Sequence, residues 1–260
     1  MDSLTTILGL IALLILASIA VRLLAWVFKE RPSRPQSDLL KASFDGQFDR
    51  VLELVNSGIN IDCANGTGKT PLMYASAGGH QEIVDYFIER GSSINALTRS
   101  GVSALMLASE AGHVHIVKRL IEAGAELNTV DDDFISALSM AIGHGYGDVV
   151  SLLLDAGADV DNCLVPDRLS PLCSSIAKGR TDWAEKIISM GADVNSADDY
   201  GTTALMGAAA IDMVDIVRIL LDGGADANVT NRDGRSALDF ALENASSRVI
   251  EILQDTSDAD

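Results

Sequence analysis

Cysteine is scarce. The chain of 260 residues has only Cys63, Cys163 and Cys173, an odd number with neither a Cys-x-x-Cys pair nor a Cys/His ligand spacing. That leaves no material for a disulfide framework or a structural zinc site, and reduced thiols in a cytosol-like compartment are the simplest reading. Basic residues are also few: 19 Lys and Arg against 37 Asp and Glu give a net charge of −18. Such a surface repels phosphate, which excludes direct nucleic-acid binding. Aromatics amount to 5%, yet 48% of the residues are apolar and the mean hydropathy is +0.23, too much for wholesale disorder. The apolar excess must therefore be concentrated. Residues 1–36 hold Arg22, Lys29, Arg31 and Arg34 against Asp2 and Glu30, a net of +2, which leaves −20 for residues 37–260.

The first part reads as a membrane segment. Residues 4–21 carry no charge, and their helix spans roughly 27 Å, close to a bilayer core. Trp26 suits an interface, and the basic residues all follow the apolar run, so residues 1–28 are expected to be a single-pass anchor with the N-terminus out and the bulk of the chain cytoplasmic. A cleaved signal peptide is the competing reading, because Ser18-Ile19-Ala20 sets small residues at 18 and 20 for a peptidase; it would leave a periplasmic or secreted protein. Residues 29–36 are basic and contain two prolines, as an extended spacer would.

The second part is periodic. Glycines 58, 91, 124, 157, 191 and 224 recur at one interval, lengthened by a single position between 157 and 191, and most are followed closely by Asn or Asp. Thr70-Pro71-Leu72, Ser103-Ala104-Leu105, Ser136-Ala137-Leu138, Ser170-Pro171-Leu172, Thr203-Ala204-Leu205 and Ser236-Ala237-Leu238 keep the same period. Each begins on a residue that caps a helix N-terminus, and proline twice takes the first helical position, where a missing N–H costs nothing. A second helix follows in each unit, with apolar pairs at helical spacing such as Ile116/Val117/Leu120/Ile121, and ends at the column glycine.

With those columns in view, GKTPLMYASAGGHQEIVDYFIERGSSIN and GVSALMLASEAGHVHIVKRLIEAGAELN resemble ankyrin repeats. The resemblance extends over residues 37–256 as about seven units, 37–62, 63–96, 97–129, 130–162, 163–196, 197–229 and 230–256, with an acidic tail at 257–260. It implies an all-α repeat solenoid of helix pairs with β-hairpin fingers, preceded here by one transmembrane helix. It also implies a protein-binding scaffold, since one such repeat cannot bury its apolar face without neighbours. The family's TPLH histidine column reads Met73, Met106, Ser139, Cys173, Met206 and Asp239, so its histidine network is absent; Asp239 is expected to stay exposed. The finger glycine is kept as Gly68, Gly101, Gly201 and Gly234 but is replaced by Phe134 and Arg168.

No catalytic constellation stands outside these columns, and neither an enzyme, a cofactor, a metal nor a small-molecule substrate is expected. Gly66-Thr67-Gly68-Lys69-Thr70 lacks the first glycine of a phosphate-binding loop, where Cys63 stands, and Asp131-Asp132-Asp133 lacks the glycine and Glu of a Ca²⁺ loop. His80 and His113 recur one period apart and read as structural. By resemblance, partners bind along finger tips and first-helix ends. There Val102, Ile135 and Leu169 suggest an apolar stripe, with Phe134 and Tyr200 as anchors. Asp132, Asp133, Asp167, Arg168, Asp199, Glu110 and His144 lie around it. This reads as an acidic concave face for a protein with a basic amphipathic segment, tethered to the membrane by the N-terminal helix; the alternative is a stoichiometric inhibitor of a basic protein.

Overall fold

The computed structural model describes residues 35–161 and 169–257. Within them the chain forms seven helix pairs: α1 (Pro35–Phe44) with α2 (Phe48–Asn56), α3 (Pro71–Gly78) with α4 (Gln81–Glu89), α5 (Ala104–Glu110) with α6 (Val114–Glu122), α7 (Ala137–His144) with α8 (Gly147–Asp155), α9 (Pro171–Ala177) with α10 (Thr181–Ser189), α11 (Ala204–Ala210) with α12 (Val214–Asp222), and α13 (Ala237–Glu243) with α14 (Ser247–Ser257). Odd-numbered helices pack on one another in chain order, and so do even-numbered ones, giving a two-layered solenoid.

Each first helix from α3 onward starts as the sequence predicts. The hydroxyl oxygens of Thr70, Ser103, Ser136, Ser170, Thr203 and Ser236 accept hydrogen bonds from the backbone N–H three residues on, at 3.2–3.4 Å. Such caps contribute about 1 kcal/mol each. Met73 and Met106 fill the vacant histidine column as buried side chains whose sulfurs accept from the N–H groups of Thr70 and Ser103, both at 3.4 Å. Asp239 is exposed and closes the last cap from outside, its carboxylate accepting from the Ser236 N–H at 2.7 Å. The core runs between the layers. Leu39, Leu72, Leu105, Leu138, Leu172 and Leu205 repeat along the first helices, facing pairs such as Ile116/Val117 and Ile216/Val217 on the second, all buried. Gln254 on the end helix faces solvent, as a terminal repeat requires.

The Asn/Asp column proves to be a ladder between repeats. Side-chain oxygens of Asp62, Asn95, Asn128, Asp161 and Asn195 accept from the backbone N–H groups of Ser93, Glu126, Asp159, Asp193 and Asp226, about one period later, at 2.9–3.1 Å. Burial pushes the Asp62 carboxyl up, but hydrogen bonds from Ser92 Oγ, Ser93 N and Ser93 Oγ outweigh it and hold its pKa below the usual value. A folded-state pKa below the unfolded one means a stabilisation fully present above the unfolded value, near 3.9, and lost as pH falls through the folded one. Urea midpoints measured from pH 5 down to 2.5 should therefore fall more for wild type than for Asp62→Asn.

His80 and His113 are structural. His80 Nε2 lies 2.7 Å from the Phe44 carbonyl and His113 Nε2 3.2 Å from that of Ala77, so each ring ties its repeat to the preceding first helix. The ring needs glycine beneath it. Gly79 has φ +79°, and a Cβ there would stand 2.7 Å from the His113 ring, whereas at Gly91, φ +76°, a Cβ would meet nothing. Gly79→Ala should cost about 2 kcal/mol, combining left-handed strain with the lost His113 contact, against about 1 kcal/mol for Gly91→Ala. Equilibrium unfolding of the two variants side by side tests the difference.

Two expectations need correction. The fingers are not β-hairpins: among the described residues there is no strand, only the isolated bridges Val130–Ser136 and Ala197–Thr203. The cause lies in the residue that opens each finger. Asp131 Oδ1 accepts from the N–H groups of Asp133 and Ile135, and Asn65, Asp198 and Asn231 do the same two and four residues on. The arms keep one backbone bond, from the N–H of Asn65, Asp131, Asp198 and Asn231 to the carbonyl four residues on at 3.0–3.1 Å, but the amide that would return it is held by the side chain, so the finger closes as a side-chain-pinned turn. The second correction concerns the membrane. No helix among the described residues is long and apolar enough to cross one; the longest, α14, has 11 residues, roughly 16 Å against a core of about 30 Å. Residues 1–28, where the anchor is expected, lie outside the described residues, so the anchor, the cytoplasm-facing orientation and the periplasmic alternative are not carried further.

Candidate functional site

The fingers stack as the helices do. The N–H of Arg99 donates to the Thr67 carbonyl at 2.9 Å, that of Asp132 to Ser100 at 3.1 Å, and that of Arg232 to Tyr200 at 2.9 Å. Between the stacked turns and the first helices runs a cleft of about 620 Å³. Its walls include Tyr74, Leu107 and Met140, each the fourth residue of its first helix, with Val102, Glu110 and Asp131. Tyr74 is fixed there on two sides. Its hydroxyl accepts from Asn65 Nδ2 at 3.0 Å, and the Phe44 ring meets its own edge-on at 6.0 Å. Lys69 Nζ is 6.0 Å from the Tyr74 ring centroid.

The predicted residues scatter around this cleft. Val102 and Glu110 line it. Ile135, like Val102, is half-buried and packs against the core, so the expected apolar stripe is largely spent inside the fold. Asp132, Asp133 and Phe134 stand exposed on the finger before α7, and Asp199 and Tyr200 on the finger before α11. His144, exposed at the end of α7, stacks on Tyr146 at 5.8 Å. Leu169 borders a separate recess near α9 and α11. Asp167 and Arg168 lie outside the described residues. The cleft is not an acidic strip: its charged lining groups are Glu110, Asp131 and Lys69 among apolar and hydroxyl side chains. That corrects the acidic concave face, and the basic-protein inhibitor reading that depends on it is dropped.

Sequence reading missed Tyr74, Leu107 and Met140. The signal was present, since the fourth residue after each cap recurs with the repeat; it was masked because two of the three are apolar and look like ordinary core. Phe134 is the anomaly. At the equivalent finger position Gly68, Gly101, Gly201 and Gly234 have φ of +90°, +81°, +77° and +74°; Phe134 is held at +62° with its side chain 63% exposed. Among the described residues no group of His, Cys, Asp and Glu is arranged to hold a metal ion.

Family models agree with this architecture. A model described as "Ankyrin repeats (3 copies)" matches residues 39–131 and 172–260, and one described as "Ankyrin repeat" matches 134–164. The chain belongs to the ankyrin-repeat family. These ankyrin matches account for nearly all of the described chain, which is a non-enzymatic repeat protein. It is 44% identical over 61 residues to ankyrin repeat and SOCS box protein 6 of Homo sapiens, a match spanning 21% of this chain and 14% of that one. With a putative ankyrin repeat-containing protein of Treponema pallidum (strain Nichols) it shares 36% identity over 90 residues, 34% of this chain and 30% of the relative. The matches to these relatives thus span less than a third of their length. Among solved ankyrin structures, the human ASB11 ankyrin repeat domain superimposes with a TM-score of 0.66 at 26% identity, and the ankyrin repeat domain of Bcl-3, a unique member of the IkappaB protein family, with 0.67 at 30%. Each comparison covers 84% of this chain and 97% of the other.

Proposed function

We propose that this ankyrin array is a protein-binding scaffold whose partner lies along the cleft from Tyr74 to Met140 and is gripped by Phe134 at the finger tip. One observation carries the reading: Phe134 occupies backbone that glycine takes in the equivalent fingers, while its ring is spent on solvent. Left-handed backbone costs a non-glycine residue about 1–2 kcal/mol, and residues kept in that state cluster at binding and switch sites. An exposed aromatic ring supplies large contact area at small entropic cost, which is why such side chains dominate interface energetics. Asp132 and Asp133 beside it, and Asp199 and Tyr200 on another finger, extend the contact surface, and Val102 and Glu110 contribute from the cleft wall.

The test compares proteins captured from lysate by wild type, by Phe134→Gly and by Glu122→Lys, an exposed change on the second-helix layer. Proteins that bind through the cleft should be retained by wild type and Glu122→Lys and lost with Phe134→Gly. An unchanged set on Phe134→Gly would sink the proposal.

A further inference from the structure

The fourth residue of each first helix from α3 onward reads Tyr74, Leu107, Met140, Ser174, Gly207 and Phe240, so the large side chains that floor the concave side vanish at α9 and α11. Gly207 is the informative member. It sits in the interior of α11, where glycine is a poor helix residue, and no close packing demands it: a Cβ there would meet only Ile176 Cγ2, at an ordinary 3.5 Å. Its missing side chain opens a recess of about 170 Å³, walled by Leu169, Cys173, Ile176 and Thr202, with Asp198 the charged group on its lining. An apolar cavity of about 150 Å³ is enough to take up benzene. Asp198 is fixed in place, its Oδ1 accepting from the N–H groups of Tyr200 and Thr202, each at 2.8 Å, and exposed Asp199 adds a second negative charge on the same turn. Lys178, just past the end of α9, is turned toward the preceding repeat, where its Nζ donates to the Gly143 carbonyl at 3.0 Å.

We propose that this recess is a second anchor site, taking an aromatic side chain that the partner protein carries beside a lysine or arginine, with the ring against Ile176 and Gly207 and the cation at Asp198. The proposal rests on the scaffold reading for its partner but not for its chemistry, which a small probe tests alone. Phenethylamine joins a phenyl ring to an ammonium group. Titrated into the ¹⁵N-labelled full chain, it should shift the amide signals of Cys173, Ile176, Thr202 and Gly207 in a saturable way. Gly207→Leu should abolish those shifts while folding normally, since Leu107 occupies the same helix position three first helices earlier. Asp198→Asn keeps the acceptor oxygen of the turn but removes the charge. It should weaken phenethylamine by about two- to fivefold, as an exposed ion pair would, and leave benzyl alcohol unaffected.

Absence of shifts at those amides, shifts that persist in Gly207→Leu, or equal weakening of both probes by Asp198→Asn would overturn the site. Partner protein captured by wild type should bind Gly207→Leu at least tenfold more weakly, and undiminished binding overturns the anchor role. If wild type captures no partner, the scaffold reading fails while the titration still decides the recess.

Discussion

Leu138→Ala should destabilise the array by about 2–5 kcal/mol and resolve its unfolding into two steps. Leu138 is 1% exposed in α7, and α7 packs on α5 before it and on α9 after it. Truncation removes the transfer energy of the side chain and leaves a cavity that rigid neighbours on both sides fill only in part. In a solenoid each repeat touches only its neighbours, so stability is the sum of repeat and interface terms. A weakened central interface uncouples the two halves, whereas Val249→Ala, in the end helix α14, frays one terminus and leaves a single main transition. Urea titration followed by circular dichroism distinguishes the outcomes. A single transition for Leu138→Ala, displaced by less than about 1 kcal/mol, would contradict the layered core.

Phe134→Gly should move stability and binding in opposite directions. Glycine relieves about 1–2 kcal/mol of left-handed strain and gives back about 0.4–1 kcal/mol through its freedom in the unfolded chain, so the fold should gain several tenths to about 1 kcal/mol. For a chain of this size that is a rise in melting temperature of about 1–3 °C. The hydrogen bonds of the turn survive, because the N–H of residue 134 still donates to the Asp131 carbonyl, at 3.0 Å in the wild type. Partner affinity should meanwhile fall about 30-fold or more, the loss expected for a hot-spot aromatic at about 2 kcal/mol or above. A residue serving the fold alone would give the reverse sign on melting and no effect on capture. Binding and melting measured on the same preparation therefore separate an anchor from a structural residue.

The columns that carry the candidate site were legible, because a regular period already assigns fingers, caps and first-helix ends to fixed positions. What the columns did not reveal was side-chain direction. Val102 and Ile135 follow the finger turn just as an exposed stripe would, but the pinned turn directs them against the core, while Phe134 between Asp133 and Ile135 is turned outward. Tyr74 was passed over for the opposite reason: it sits in a helix rich in core residues, and only its hydrogen bond to Asn65 and the neighbouring Phe44 ring mark it as a cleft wall.

By itself the sequence determined the repeat period, the capped start of most first helices and the glycine ends of the second helices, because each depends on hydrogen bonds and periodicity within one local segment. Only the tertiary structure decided that the fingers are pinned turns rather than hairpins, that the concave cleft is mixed rather than acidic, and that Gly207 opens a recess. The physical reason is side-chain direction. For the cleft and the recess it is which side chain fills a gap between units a full period apart, brought together by stacking; for the fingers it is which side chain reaches an amide two or four residues on, which the spacing of residues does not state.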